Sequence, residues 1–208
     1  YKRQDQLQPD AVIHMNGTRV VAEGKTLYEH TMDKKLLKRL LAFGKERGIA
    51  LGVTMENGDY YTAPEEVERI DVLRWGETSR HFEDPMKLLE LPVRTLAYIG
   101  GPDRVRELEE HFPECKFFMF AGKTGADVVE NEASKAEGLK RLCEYYGMDL
   151  SQTVAFGDSM NDFEIVSRAG IGIAMGNSVE ELKAAADYVT DPIDRDGVWN
   201  ACRHFGWI

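Results

Sequence analysis

Cysteine is scarce in this chain and shows no pairing pattern. Cys115, Cys143 and Cys202 are odd in number, far apart and without a Cys-x-x-Cys pair, so neither a disulfide framework nor a zinc ribbon is indicated, and a reducing cytoplasm fits. Long apolar runs are lacking as well: Phe117-Phe118-Met119-Phe120-Ala121 is among the longest and is far too short to cross a bilayer. No signal-peptide pattern is visible. Positive charge is in deficit, with 26 Lys and Arg against 36 Asp and Glu and a formal net charge of -10. That balance argues against nucleic acid and against an anionic membrane as main partners, since both need a basic face. The five histidines have no metal-ligand spacing. Internal repeats, low-complexity tracts and long Pro/Gly linkers are missing, so any joints between domains are short. What the chain does have is core material: 43% hydrophobic and 10% aromatic residues over a length of 208 describe a globular chain of one or two domains.

The densest chemistry lies in Gly157-Asp158-Ser159-Met160-Asn161-Asp162, between the apolar run Thr153-Val154-Ala155-Phe156 and a helical pattern from Phe163 onward. Two carboxylates and an amide at the end of a predicted strand stand where open α/β sheets bind ligands. Asp158 and Asp162 repel each other unless a positive group sits between them. Mg²⁺ suits that place, being held by one or two carboxylates while a substrate phosphate completes its shell. Taken alone, the six residues read equally well as a solvated Asx-turn, with Asn161 or Asp162 as a helix cap.

Ser134-Lys135-Ala136-Glu137 has the form of a capping box. The helix it opens carries Leu139, Leu142, Cys143 and Tyr146 at helical spacing, and Gly147 stands where a left-handed C-terminal residue belongs. Lys135 therefore falls in a first helical turn, where the macrodipole disfavours a cation by about 0.3–1 kcal/mol. An anion shared by the ammonium and the free N–H groups of that turn would compensate. A lysine extended into water is the commoner fate of any single Lys.

In this order and spacing, Ser-Lys, a helix of about four turns, a strand and Gly-Asp-x-x-Asn-Asp resemble the third and fourth motifs of the haloacid dehalogenase superfamily of phosphatases. The resemblance continues through Ala169-Gly170-Ile171-Gly172-Ile173-Ala174-Met175-Gly176-Asn177, Val179 to Ala186, Asp187-Tyr188-Val189-Thr190 and Asp196-Gly197-Val198, which read like the Cof-type branch. The resemblance implies that Asp158 ligates Mg²⁺, with Asp162 as a further carboxylate of the metal site. It further implies that Asn161 hydrogen-bonds the substrate phosphate and that Lys135 neutralises charge on that phosphate and on an attacking carboxylate. Asn177 would help shape the same loops.

The family takes its nucleophile and general acid/base from an Asp-x-Asp motif after its first strand. Here Tyr1-Lys2-Arg3-Gln4-Asp5-Gln6-Leu7 is polar, Asp10 precedes Ala11-Val12-Ile13 instead of following it, and no Ser or Thr of the second motif is identifiable. Asp10-Ala11-Val12-Ile13-His14-Met15-Asn16-Gly17 resembles the strand and Asn-Gly turn that precede the family's cap. The expectation is a chain that lacks the Asp-x-Asp segment and does not turn over as given. Family chemistry would pass through an aspartyl-phosphate, with metal and lysine stabilising charge on the transferring phosphoryl oxygens.

From about residue 33 to 128 the pattern changes. Asp33 to Arg47 reads as an amphipathic helix with Leu36, Leu37, Leu40 and Leu41 on one face and Gly48 closing it. Ile49 to Met55, Glu56-Asn57-Gly58 and Asp59 to Ala63 read as a hairpin with Asn-Gly as its turn. A helix from Pro64 to about Trp75 follows, with an acidic first turn. Val93 to Ile99, Pro102 to Phe112, Lys116 to Ala121 and Ala126 to Glu130 then give strand, helix, strand, strand. Position and element order resemble the family's large inserted cap, whose role there is to close over the metal site and select substrate. Arg74, Trp75, Arg80 and His81 are its substrate-facing candidates, although a Trp at helical spacing is more often core. Gly76 to Lys87, charge-mixed and without either periodicity, is the expected mobile loop.

Two motifs are decoys. Ala121-Gly122-Lys123-Thr124 resembles the end of a P-loop, but Phe117 occupies the place of the required glycine. Gly170 to Gly176 has one residue too many for a dinucleotide fingerprint. The expected fold is α/β, a partial Rossmann-like core of residues 1–32 and 129–208 with an inserted α+β cap at 33–128. The expected function is Mg²⁺-dependent hydrolysis of a small phosphorylated metabolite, with a non-catalytic phosphate-binding or regulatory module as the alternative.

Overall fold

The computed structural model describes residues 8–120 and 122–208. The polar reading of Tyr1 to Leu7, and Ala121 at the end of the expected 116–121 strand and the start of the P-loop decoy, lie outside the described residues. The chain divides into two compact units, one of residues up to Glu29 together with Glu132–Ile208 and one of His30–Asn131.

The first unit begins with an antiparallel meander of β1 (Ala11–His14), β2 (Arg19–Ala22) and β3 (Lys25–Glu29), with a 3-10 turn at Met15–Gly17 between the first two strands.

The second unit starts with α1 (Lys34–Arg47). The Asp33 carboxylate caps it by accepting from the Lys35 and Leu36 N–H groups, both at 2.9 Å, which satisfies two of the donors a helix start leaves free. The four leucines read as one face are all buried, each contributing about 1.5–3 kcal/mol relative to exposure. Then come β4 (Ala50–Met55), β5 (Gly58–Tyr61), α2 (Pro64–Trp75), β6 (Leu96–Ile99), α3 (Pro102–His111), β7 (Cys115–Met119) and β8 (Gly125–Glu130). The strands form one antiparallel sheet in the order β5-β4-β6-β8-β7. Strand alternation splits its side chains between two faces. Leu51, Tyr60, Leu96, Tyr98 and Val128 pack with the leucines of α1 and with Leu108 and Phe112, whereas Ala50 and Tyr61 pack with Val67 of α2.

Three expectations need correction here. Gly58 pairs with Met55 inside the ladder, so the hairpin turn is Glu56-Asn57 and the glycine opens the return strand. Trp75 is 68% exposed, because α2 turns only Val67, Ile70 and Asp71 inward. The 76–87 segment is tied down through Arg80, whose guanidinium donates to both Asp71 oxygens (2.6 and 3.1 Å), to Asp59 Oδ1 (2.9 Å) and to Thr54 Oγ1 (2.9 Å). Ion pairs between residues distant in sequence are invisible to periodicity.

The first unit resumes with α4 (Lys135–Tyr146), β9 (Val154–Gly157), α5 (Phe163–Arg168), β10 (Ile171–Ala174), α6 (Glu180–Ala185), β11 (Tyr188–Val189) and α7 (Gly197–His204). β9 and β11 flank β10 in a parallel three-stranded sheet. The fold class is α/β. No helix among the described residues is long and apolar enough to cross a membrane.

Candidate phosphate and metal site

β9 ends at Gly157, and the chain leaves the carboxyl end of the parallel sheet through Asp158 and Ser159 into a 3-10 turn at Met160–Asp162 that runs into α5. Asp162 is buried. Its Oδ2 accepts from the Asp158 N–H at 3.0 Å and the Ser159 N–H at 3.4 Å, and its Oδ1 receives the Lys135 ammonium at 2.5 Å. A buried carboxylate needs such partners, and both of its oxygens have them here. Gly157 is required beside it, since a Cβ there would stand 2.6 Å from Asp162 Cβ and 2.8 Å from Val166 Cγ2.

Lys135 is the first residue of α4, and its N-cap Ser134 accepts the Glu137 N–H at 3.2 Å. Only half of the capping box forms: the Glu137 carboxylate accepts from Arg168 at 2.8 Å, tying α4 to the end of α5. That hydrogen bond holds the Glu137 carboxyl below its ordinary range against the opposing effect of burial. Gly147 ends α4 in the left-handed conformation, φ 65°. Tyr146, expected on the apolar face, is 40% exposed, because the buried face narrows to Ala136, Gly138 and Cys143. The anion that offsets the unfavourable dipole position of Lys135 is the Asp162 carboxylate.

Asn161 lies beside this pair. Its Oδ1 accepts from the Ser159 hydroxyl at 2.7 Å, and its Nδ2 donates to Asn16 Oδ1 at 3.1 Å. Asp158 differs from Asp162 in being exposed, and no partner engages its carboxylate among the described residues. Asn177 is engaged elsewhere, its Oδ1 accepting the Ile193 N–H at 2.9 Å. Lys135, Asn161 and Asp162 thus meet, with Asp158 on the same loop. Sequence reading missed Asn16 as a member of the group. Its signal was the Asn-Gly pair, which tolerates left-handed backbone, but its partner is 145 residues away.

The donor set suits a hard cation better than a soft one. No group of three or more His, Cys, Asp or Glu side chains able to hold a metal occurs among the described residues. The open Asp158 carboxylate offers hard oxygen donors of the kind Mg²⁺ takes together with a substrate phosphate, and the Lys135 ammonium would face that phosphate rather than the metal.

Residues 2–202 match the model of the haloacid dehalogenase-like hydrolase family, and the chain belongs to that family. YkrA of Bacillus subtilis (strain 168) is 30% identical over 98% of this chain and 79% of its own length. The HMP-PP phosphatase of Klebsiella pneumoniae (strain 342) is 25% identical over 91% of this chain and 68% of its own. Among solved structures, the subclass IIB sugar phosphatase BT4131 superposes with a TM-score of 0.85 at 28% identity, covering 100% of this chain and 80% of that one.

Proposed function

We propose that this protein serves Mg²⁺-dependent hydrolysis of phosphate monoesters on a small phosphorylated metabolite. The observation that carries the reading is the ion pair of Lys135 with Asp162 beside the open carboxylate of Asp158. Asp158 would hold Mg²⁺, which supplies charge stabilisation on a transferring phosphoryl group. Asp162 supports that site by holding the Asp158 and Ser159 N–H groups and by aiming the Lys135 ammonium. Lys135 lies across the loop to neutralise a phosphate, and Asn161 donates an amide N–H to it, as electrostatic catalysis of phosphoryl transfer requires. Covalent chemistry through an aspartyl-phosphate belongs to the same reading. Residues 33–128 take the part of the cap, with 1–32 and 129–208 as the core. A reducing, cytoplasmic setting accords with three free cysteines.

The test is phosphate release by the natural protein from a panel of phosphorylated metabolites, with Mg²⁺ and with chelator, for wild type and Asp158→Asn. Release that needs Mg²⁺ and is lost in the variant, at unchanged thermal stability, supports the reading. Unchanged release by Asp158→Asn removes Asp158 from the metal site. Mg²⁺-dependent phosphate binding with no release would instead mark a recognition module.

A further inference from the structure

We infer that Asn16 is a positioning residue that fixes which end of the Asn161 carboxamide faces the phosphate; the inference rests on the phosphate reading of the site. The turn that carries it is strained. Met15, Asn16 and Gly17 have φ of 47°, 53° and 90° in succession, and two of the three are not glycine. Left-handed backbone is unfavourable at a non-glycine residue, least so for Asn. Met15 gains little for this, being 39% exposed, whereas Asn16 is only 8% exposed. The conformation serves to drive Asn16 inward.

Two contacts bind the turn to the site. A Cβ on Gly17 would fall 1.9 Å from the Ser134 carbonyl oxygen, so the glycine lets the turn lie flat against the N-cap of the helix that starts with Lys135. Asn16 Oδ1, for its part, accepts from Asn161 Nδ2 at 3.1 Å. One short turn thereby touches the elements carrying both the ammonium and the amide.

The consequence for Asn161 follows from its two ends. Ser159 Oγ donates to Oδ1, but a hydroxyl both donates and accepts, so it would serve either orientation of the amide. Asn16 Oδ1 is an acceptor alone. Rotating the Asn161 amide alone by half a turn would set two carbonyl oxygens against each other, so Asn16, held with Oδ1 toward Asn161, decides the orientation. Nδ2 has two hydrogens; with one committed to Asn16, the other is held in a fixed direction for a phosphate oxygen.

The experiment is a double-mutant cycle of Asn16→Gly and Asn161→Ala, read as the Kd of inorganic phosphate in the presence of Mg²⁺, with Lys135→Ala as reference. Glycine keeps the left-handed backbone and removes only the side chain. Loss of one neutral hydrogen bond predicts roughly three- to tenfold weaker binding for Asn16→Gly, and no further loss when it is added to Asn161→Ala. A loss of the same size in the Asn161→Ala background would mean a merely structural effect and overturn the inference. As a second readout, the Asn161 side-chain NH₂ resonances should be protected from exchange in wild type and in Asn16→Asp, which retains an acceptor oxygen, and unprotected in Asn16→Gly. Protection that survives Asn16→Gly also overturns it, and this arm reports even if one variant fails to fold. If Lys135→Ala and Asn161→Ala weaken binding while Asn16→Gly does not, only the positioning role falls. If none of the three changes phosphate affinity, the phosphate reading falls and takes this inference with it.

Discussion

Lys135 Nζ and Asp162 Oδ1 stand 2.5 Å apart although 27 residues separate them in the chain. Each is costly to place alone, a cation in a helical first turn and a carboxylate largely removed from water, and each is the counter-charge of the other. Removing one partner leaves the second uncompensated, which for a fully buried pair costs about 3–5 kcal/mol. Because the Lys135 side chain is 31% exposed, we expect Lys135→Met to destabilise by about 1–2 kcal/mol, after discounting for screening. The double variant Lys135→Met/Asp162→Asn should recover part of that loss. Urea unfolding of the four proteins measures the coupling, and strictly additive losses would show that the pair contributes nothing.

Gly157→Ala should act at the same place by crowding. The new methyl meets the Asp162 Cβ and Val166 Cγ2, and overpacking of this kind costs about 1–3 kcal/mol. Relief requires α5 to shift, which draws Asp162 from Lys135. The expected result is a lower unfolding midpoint together with weaker phosphate binding. Unaltered phosphate affinity would mean that the loop absorbs the methyl without moving Asp162.

In the second unit, the Arg80 cluster predicts a component of acid sensitivity. Burial pushes the Asp59 carboxyl upward, but hydrogen bonds from Thr54, Arg80 and the His81 N–H outweigh it, leaving the carboxyl below its ordinary value of 3.8. A carboxyl whose pKa is lower folded than unfolded stabilises fully above the unfolded value, and the contribution is lost as pH falls from there through the folded value. Wild type should therefore lose more stability than Asp59→Asn when the pH is lowered from about 6 to about 3. Parallel curves from urea titrations would contradict this.

The cysteines predict a chemical pattern. Burial, with Glu114 and Glu130 nearby, pushes the Cys115 thiol up to about 12, so at about pH 8 only on the order of one part in ten thousand is thiolate. Cys143 is also buried and shifted upward. Alkylation of the native protein should label Cys202, the half-buried one, well before the others, as peptide mass mapping would show. Early labelling of Cys115 would mean that the β7 edge of the sheet opens readily.

Local signals read well where one element contains both the cause and the effect. Asp33 caps the helix that its own neighbours form, and Leu36, Leu37, Leu40 and Leu41 share a face because their spacing is helical. The acidic loop follows its strand because glycine and aspartate end an apolar run. Readings failed where a side chain's fate depends on a remote partner. Trp75 fits a helical stripe, yet it is 68% exposed. Arg80 lies in a segment without periodicity and is held by Asp59 and Asp71 from two different elements. Glu137 has the position of a capping-box acid and is taken by Arg168 instead.

By itself the sequence determined the elements, the order of the motifs and the residue types able to hold a phosphate and a hard cation, because spacing, caps and turn chemistry act over a few residues. Tertiary structure alone decided that Asp162 neutralises Lys135 while Asp158 stays open, and that Asn16 reaches Asn161 across 145 residues. Charge pairing and amide orientation depend on distances of a few ångströms in space, which separation along the chain does not encode.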